Sequence, residues 1–307
     1  MEDYNKIIES LGVRFIKAKD INIVQPVTID NYYDVENAVI LVNAGQVSFG
    51  KEGKEKVAHP GDTLFIPGGK NVRLTYGADP LVSLNNEEFI SKKELYIQTH
   101  GDEHTSIAKE SFSYVTFEAK VFNSVNFFAS LDIDSFIIKN DGINYIIKQI
   151  LKENLSTLPG KNRVVKLKTD QLVVEVIRYI IIKKLFVEQL ATNITYFKDP
   201  RLINIFNYIK ENLSGDLSNK VLANVANVSE DYVGQYFKML TSINPQDYIE
   251  YQRMEEAVNL LRTTKRSIRE IGRNVGYKDT AYFCRRFKMM FGIPAGKMRR
   301  RESLMNV

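Results

Sequence analysis

The chain has 307 residues, 44% hydrophobic and 26% charged, enough for about two globular domains with ordinary cores. No apolar run reaches the roughly 20 residues that cross a bilayer, since the best, Tyr179 to Ile182, is stopped by Lys183 and Lys184. One cysteine excludes an internal disulfide, and the polar start MEDYNKIIES is unlike a secretory leader, so a cytoplasmic protein is expected. Net charge is +5 but unevenly placed: Arg262 to Arg301 carries 13 Lys and Arg against Glu270 and Asp279, while the remainder is mildly acidic. Such a basic module points to a polyanion partner, nucleic acid before membrane, because no hydrophobic insertion face accompanies it.

Residues 20–76 alternate β-branched runs with turn signals: INIVQPVT (21–28), AVILVNAGQVSFG (38–50), the turn HPGD (59–62), TLFIPGGK (63–70) and NVRLTY (71–76). Short strands punctuated by Gly and Pro predict an antiparallel sandwich or barrel, with a further strand at Tyr114–Phe117. From about residue 141 the period changes. Ile143, Ile146, Ile147, Ile150 and Leu151 fall on one helical face, followed by a break at Leu158-Pro159-Gly160. Thr169 then reads as an N-cap with Asp170 in the first turn, opening a helix to about Leu190. Its stripe of Leu172, Val173, Val176, Ile177 and Ile180 belongs either to an intrachain core or to a dimer interface. Tyr196 to Pro200 is the candidate linker, dividing a domain over 1–197 from an all-helical one over 198–307.

The C-terminal third contains an internal repeat. VLANVANVSEDYVGQYFKML (221–240) aligns without gaps, at an offset of 50, on IGRNVGYKDTAYFCRRFKMM (271–290). Each copy has a short apolar-periodic helix, a small turn residue (Ala226, Gly276), a polar cap (Ser229, Asp279) and a second helix. That is the grammar of a helix-turn-helix, whose second helix enters a DNA major groove. On a helical wheel Phe283, Phe287 and Met290 face inward, while Ala281, Cys284, Arg285 and Lys288 face out. In the earlier copy Val233, Phe237 and Leu240 face inward, and Asp231, Gly234, Gln235 and Lys238 face out. Arg286 lies nearer the core edge, where it reaches a phosphate or a neighbouring carboxylate. Between the copies Asn244 caps a helix with Pro245 at its first position, and Tyr251, Met254, Val258 and Leu261 recur along it. A long helix packed on both copies would set two recognition helices about 34 Å apart, for successive major grooves of double-stranded DNA.

These stretches, VSEDYVGQYFK, NPQDYIEYQRMEEAVNLL, SIREIGRNVGYKDTAYFCRRFK and FGIPAGKMRR, resemble the DNA-binding domain of AraC/XylS-type bacterial transcription regulators, over residues 199–301. More loosely, the GD…IP motif in His59 to Pro67 resembles that family's cupin-like regulatory domain. The resemblance implies an α+β protein: an N-terminal cupin-like β-barrel or sandwich with following helices, then an all-α domain of two helix-turn-helix units joined by a long helix. It implies base-contacting positions at Asp231, Gly234 and Gln235 in the first recognition helix, and at Thr280, Ala281, Cys284 and Arg285 in the second. It further implies an activator more often than a repressor, RNA polymerase as a partner, and homodimerisation through the helices at about 142–190. Ser242, Gly272 and Pro294 depart from the family pattern, without removing a core anchor. Segment 217–244 is electrically neutral, so the second unit is expected to supply most of the electrostatic affinity.

A barrel of this kind has room for one small effector, with an apolar lining of Val39, Leu41, Phe49, Leu64, Ile66 and Leu74 and Arg73 as a carboxylate clamp. A constitutive DNA-binding dimer without effector is the alternative. A metal-cupin enzyme would need several inward histidines, and the chain has three in all: His59 in a turn, and His100 and His104 in a loop-like stretch. No Ser/His/Asp or Cys/His nucleophile arrangement is visible, and Cys284 reads as a small groove-compatible side chain. No metal, cofactor or enzymatic activity is therefore expected.

Overall fold

The structure, a computed structural model, describes residues 2–78, 80, 82–99, 110–121, 125–190, 199–241 and 244–299. Two compact units are present, one of Leu11–Lys120 with Asn126–Val187 and one of Met1–Ser10 and Val121–Val125 with Glu188–Val307.

In the first unit the Gly- and Pro-punctuated runs become β1 (Leu11–Ile23), β2 (Val27–Tyr32), β3 (Asn37–Ala44), β4 (Val47–Gly50), β5 (Lys56–Ala58), β6 (Thr63–Ile66), β7 (Val72–Tyr76), β8 (Ser83–Leu84), β9 (Ile97–Thr99), β10 (Ser111–Val121), β11 (Val125–Asn126) and β12 (Phe136–Ile138). The run 21–28, expected as one strand, is the end of β1 and the start of β2, because Pro26 lacks the N–H that a continuing ladder needs. The larger sheet runs β12-β6-β3-β10-β1-β9, with β11 on β10, and the smaller β5-β4-β7-β2-β8. Gly45, at φ 80°, makes the turn by which the chain leaves β3 in one sheet for β4 in the other. β1 with β9, β3 with β6 and β10, β6 with β12, β2 with β7, and β4 with β5 and β7 pair antiparallel, while β2 pairs with β8 in parallel.

The central strands β3 and β6 of the larger sheet are buried on both faces. Ala38, Ile40, Val42, Leu64 and Ile66 meet Val27, Ile29, Phe49, Leu74 and Phe112 in one apolar interior. The opposite face carries Phe65, whose ring lies 4.7 Å from Phe128 and 5.1 Å from Phe136. Helices cover this side: α4 (Asp141–Asn154), capped by Asn140, and α5 (Lys161–Ile182) pack on each other and on β1. Asn144 of α4 ties down to the sheet, accepting from Thr63 Oγ1 at 2.8 Å and donating to the Gly61 carbonyl at 2.7 Å.

Helix α5 begins eight residues before the expected cap. Gly160 ends the break at φ 85°, a conformation cheap only for glycine, and Lys161 starts the helix. Thr169 is an interior residue: it is fully buried, with its hydroxyl donating to the Val165 carbonyl at 2.8 Å. The stripe Leu172, Val173, Val176, Ile177 and Ile180 is consumed by the intrachain core, each 2% exposed or less.

Among the described residues beyond 199 the second unit holds α6 (Pro200–Glu211), α7 (Asn219–Ala226), α8 (Glu230–Thr241), α9 (Pro245–Thr263), α10 (Ile268–Asn274) and α11 (Thr280–Phe291). (α1, Glu2–Ser10, groups with this unit; α2, Asn86–Ser91, and α3, Phe127–Ser130, are short helices of the first.) Of the expected linker, residues 196–198 lie outside the described residues. Asp199 and Pro200 are instead the N-cap and first residue of α6, because Pro is tolerated where no helical N–H bond is due.

Candidate nucleic-acid interface

The interface is built from two copies of one device. In the first, α7 ends at Asn227, which takes φ 54°, and Ser229 Oγ accepts the Tyr232 N–H at 3.2 Å to open α8. In the second, α10 ends before Gly276 at φ 92°, and Asp279 accepts the Tyr282 N–H at 2.5 Å to open α11. The left-handed turn residue is Asn227, not Ala226 as expected, one position out of register with Gly276. The closing bonds shift with it: Val228 N–H reaches the Ala223 carbonyl, and Tyr277 N–H reaches Gly272. Asn is the non-glycine residue that best tolerates this conformation, so the first copy keeps the turn without a glycine.

The inward faces pack as the wheel requires. Val233 and Phe237 are fully buried, Phe237 lying 5.5 Å from Phe206 and 5.3 Å from Tyr248. Phe283, Phe287 and Phe291 form the matching ladder in the second copy, at 5.7 and 4.5 Å. Met290 is only half-buried, and Phe291 takes the anchoring place assigned to it. The side chain of Leu240, and Ser242, lie outside the described residues.

Asp231, Gln235 and Lys238 are exposed on α8, and Gly234 leaves a bare strip between them with no atom nearer than 4.0 Å to a hypothetical Cβ. On α11, Ala281, Arg285 and Lys288 are exposed while Thr280 and Cys284 are partly so. The Arg285 guanidinium lies over the exposed Tyr282 ring at 5.9 Å from its centroid. Arg286 points elsewhere. It forms a two-pronged ion pair with Glu250 of α9, its Nε to Oε1 at 2.5 Å and its Nη2 to Oε2, and this hydrogen bonding raises the guanidinium pKa further. Of the two contacts read from the wheel, the carboxylate is the one present.

The linking helix α9 starts as expected, Asn244 accepting the Asp247 N–H at 2.9 Å with Pro245 at its first position. It packs on α8 and on α10. Its polar contacts, through Glu250 and Arg253, were not visible in the sequence because helical periodicity marks only the apolar face.

The expected effector lining is not brought together. Phe49, Leu64, Ile66 and Leu74 do face the shared interior, but Val39 and Leu41 lie on the other face of β3. Val39 is opposite Phe65 and Val115, and Ile40 opposite Leu64, so the period of two sends Val39 and Leu41 towards α4. Arg73 is held outside by Asp30 at 3.0 Å and Glu55 at 2.9 Å. His59 is exposed in its turn, and His100 and His104 lie outside the described residues. Among the described residues no cluster of three or more metal-ligating side chains occurs, and no helix is long and apolar enough to cross a membrane.

A repeated helix-turn-helix with a basic second copy, following a double-sheet β domain, defines the class as helix-turn-helix DNA-binding proteins. Residues 222–301 match a family model described as a helix-turn-helix domain. The lactose operon transcription activator of Staphylococcus xylosus is 31% identical over 99 residues, 32% of this chain and 36% of its own. The HTH-type transcriptional regulator MtrA of Neisseria gonorrhoeae is 20% identical over 262 residues, 85% of each chain. ToxT from Vibrio cholerae O395, crystallised with (E)-4-(8-methylnaphthalen-1-yl)but-3-enoic acid, shares the fold over 95% of this chain and 99% of its own, with a TM-score of 0.55 at 10% identity. The matches span about a third of the length of the first curated relatives. The helix-turn-helix domain over residues 222–301 is similar to that of AraC/XylS-type regulators.

Proposed function

We propose that the protein is a sequence-specific DNA-binding transcription regulator that inserts α8 and α11 into successive major grooves. The observation that carries this is the repeat itself: two capped reading helices with their aromatic anchors buried and their polar faces exposed. Arg285 is assigned bidentate contact to a guanine, Thr280, Ala281 and Cys284 close packing on base edges, and Lys288 a phosphate. Asp231, Gly234, Gln235 and Lys238 make the first helix the weaker reader, because Asp231 repels phosphate and Gly234 offers no side chain. The activator role follows the name of the Staphylococcus relative, with RNA polymerase as the partner an activator implies.

The β domain is assigned to control, over residues 1–197, with the DNA-binding domain over 198–307. A small effector with an apolar portion suits the interior formed by Phe49, Leu64, Ile66 and Leu74. The aromatic carboxylic acid held by ToxT supports that class of ligand. Homodimerisation is assigned to the helices at 142–190.

Selection of duplexes from a random pool by the purified protein tests the reading. One enriched motif bound at least a hundredfold more tightly than random duplex is expected. Recovery of no motif, with affinity set by salt alone, would refute it. A thermal-shift screen of small carboxylic acids tests the effector, an unshifted melting curve throughout favouring the constitutive alternative.

A further inference from the structure

Arg286 and Glu250 belong to a chain of contacts that crosses the DNA-binding unit. On α9, Glu250 and Arg253 are three residues apart and so share a face. Arg253 Nε donates to the Leu213 carbonyl at 2.9 Å and Nη2 to the Gly215 carbonyl at 3.1 Å, in the segment that leads into α7. Its guanidinium carbon lies 6.0 Å from the Tyr277 ring centroid. Tyr277, in the turn before α11, donates its hydroxyl to Glu250 Oε1 at 3.4 Å, and Glu250 takes the two prongs of Arg286. The two heads also meet directly: a Cβ at Gly276 would come within 2.7 Å of the Leu213 carbonyl oxygen. The first copy has Tyr236 at the position where the second has Arg286.

We infer that Glu250 is a positioning residue: with Arg286 and Arg253 it fixes the rotation of α11 relative to the first helix-turn-helix, and thereby the one spacing of two base motifs that the protein accepts. The inference rests on the two-groove reading. Apolar packing of the aromatic ladder is non-directional and by itself tolerates small rolls of α11. A planar, two-pronged Arg–carboxylate pair resists that roll because both hydrogen bonds require one relative orientation. One base pair added between motifs rotates the second by about a tenth of a turn and moves it by about 3.4 Å, a change a rigid pair of heads does not follow.

The test starts from the motif selected by the full-length protein, with duplexes in which the two submotifs are moved apart or together by one base pair. Wild type is expected to lose about tenfold or more in affinity for each such change. Glu250→Gln and Arg286→Met, with far-UV circular dichroism unchanged, are expected to cut that penalty to under about threefold while keeping binding to the best duplex within about tenfold. The exchanged pair Glu250→Arg with Arg286→Glu is expected to recover the penalty, and it decides the matter if the single variants do not fold. Equal loss at every spacing, an undiminished penalty in the single variants, or no recovery of fold or penalty in the exchanged pair overturns the inference. A selected motif confined to one groove also overturns it while leaving DNA reading intact, whereas the absence of any motif refutes DNA reading itself.

Discussion

Arg285 and Lys288 sit one turn apart on α11, yet they are predicted to fail differently. Arg285→Ala removes a forked donor aimed at a base, so affinity for the selected motif is expected to fall by about 1–3 kcal/mol with random duplex little affected. Lys288→Ala removes a point charge, so both duplexes weaken together and the slope of log affinity against log salt flattens by about one. Titrations of both duplexes at several salt concentrations separate these outcomes, and equal loss on both for Arg285→Ala would end its base-reading role. In the β domain Glu118 is a charged residue buried on β10. Burial alone would raise its pKa, but the Arg14 fork, at 2.6 and 3.0 Å, and Lys120 hold it below the usual carboxylate value. A carboxyl with a depressed folded pKa stabilises above its unfolded value, about 4.3, and loses that contribution as pH falls through the folded one. Glu118→Gln is therefore predicted to cost about 1–3 kcal/mol at pH 7, with the gap from wild type closing below about pH 4 in denaturant titrations. The wheel places Arg285 on the outward face, and it is exposed there. For Arg286 the wheel left a phosphate or a carboxylate open and could not name Glu250, which lies 36 residues away on another helix.

At the scale of elements, the helix-turn-helix copies were legible because apolar period and cap coincide in each, with the turn glycine Gly276 joining them in the second copy and Asn227, not Ala226, making the turn in the first. Helix α5 shows what happens when they part. Its first eight residues, KNRVVKLK, hold too few apolar positions to display a stripe, so Thr169, just before the visible stripe at Leu172, looked like the start. Threonine satisfies its hydroxyl equally well inside a helix by bonding back one turn, which makes it an ambiguous signal. Strand β3 was ambiguous for another reason. Its run AVILV is apolar at every position, so no alternation revealed which residues share a face until pairing with β6 set it. Gly272 in α10 carries a prediction of this scale. It is buried against Phe283, whose ring would lie 3.2 Å from an added Cβ. Gly272→Ala gains up to about 1 kcal/mol of helix propensity against that crowding and is expected to leave stability within about 1 kcal/mol of wild type. Gly272→Val cannot relieve the contact and is predicted to destabilise by about 1–3 kcal/mol. Thermal unfolding of the two variants distinguishes them, and an unaffected valine variant would show that α10 is free to shift from α11.

For the whole molecule, the charge asymmetry located the DNA-binding third from composition alone, whereas an oligomeric state leaves no comparable mark. The apolar stripe that raised the question of a dimer is used up inside the β domain. What remains is a different set on α4, α5 and the segment between them: Tyr145, Leu155, Leu158, Leu167 and Ile182 are each more than half exposed. Large side chains left in water this way contribute nothing to the monomer's fold, so replacing them leaves stability within about 0.5 kcal/mol. In an interface the same replacements would bury unpaired carboxylates, which association does not tolerate. Leu158→Glu with Leu167→Glu is therefore predicted to convert a dimer to a folded monomer. Sedimentation velocity of both proteins over a range of concentrations checks it, with unchanged unfolding curves confirming that only association was lost. Wild type sedimenting as a monomer throughout would move dimerisation off these helices, or off the protein altogether. A dimer that survives both glutamates would place the interface on another surface of the chain.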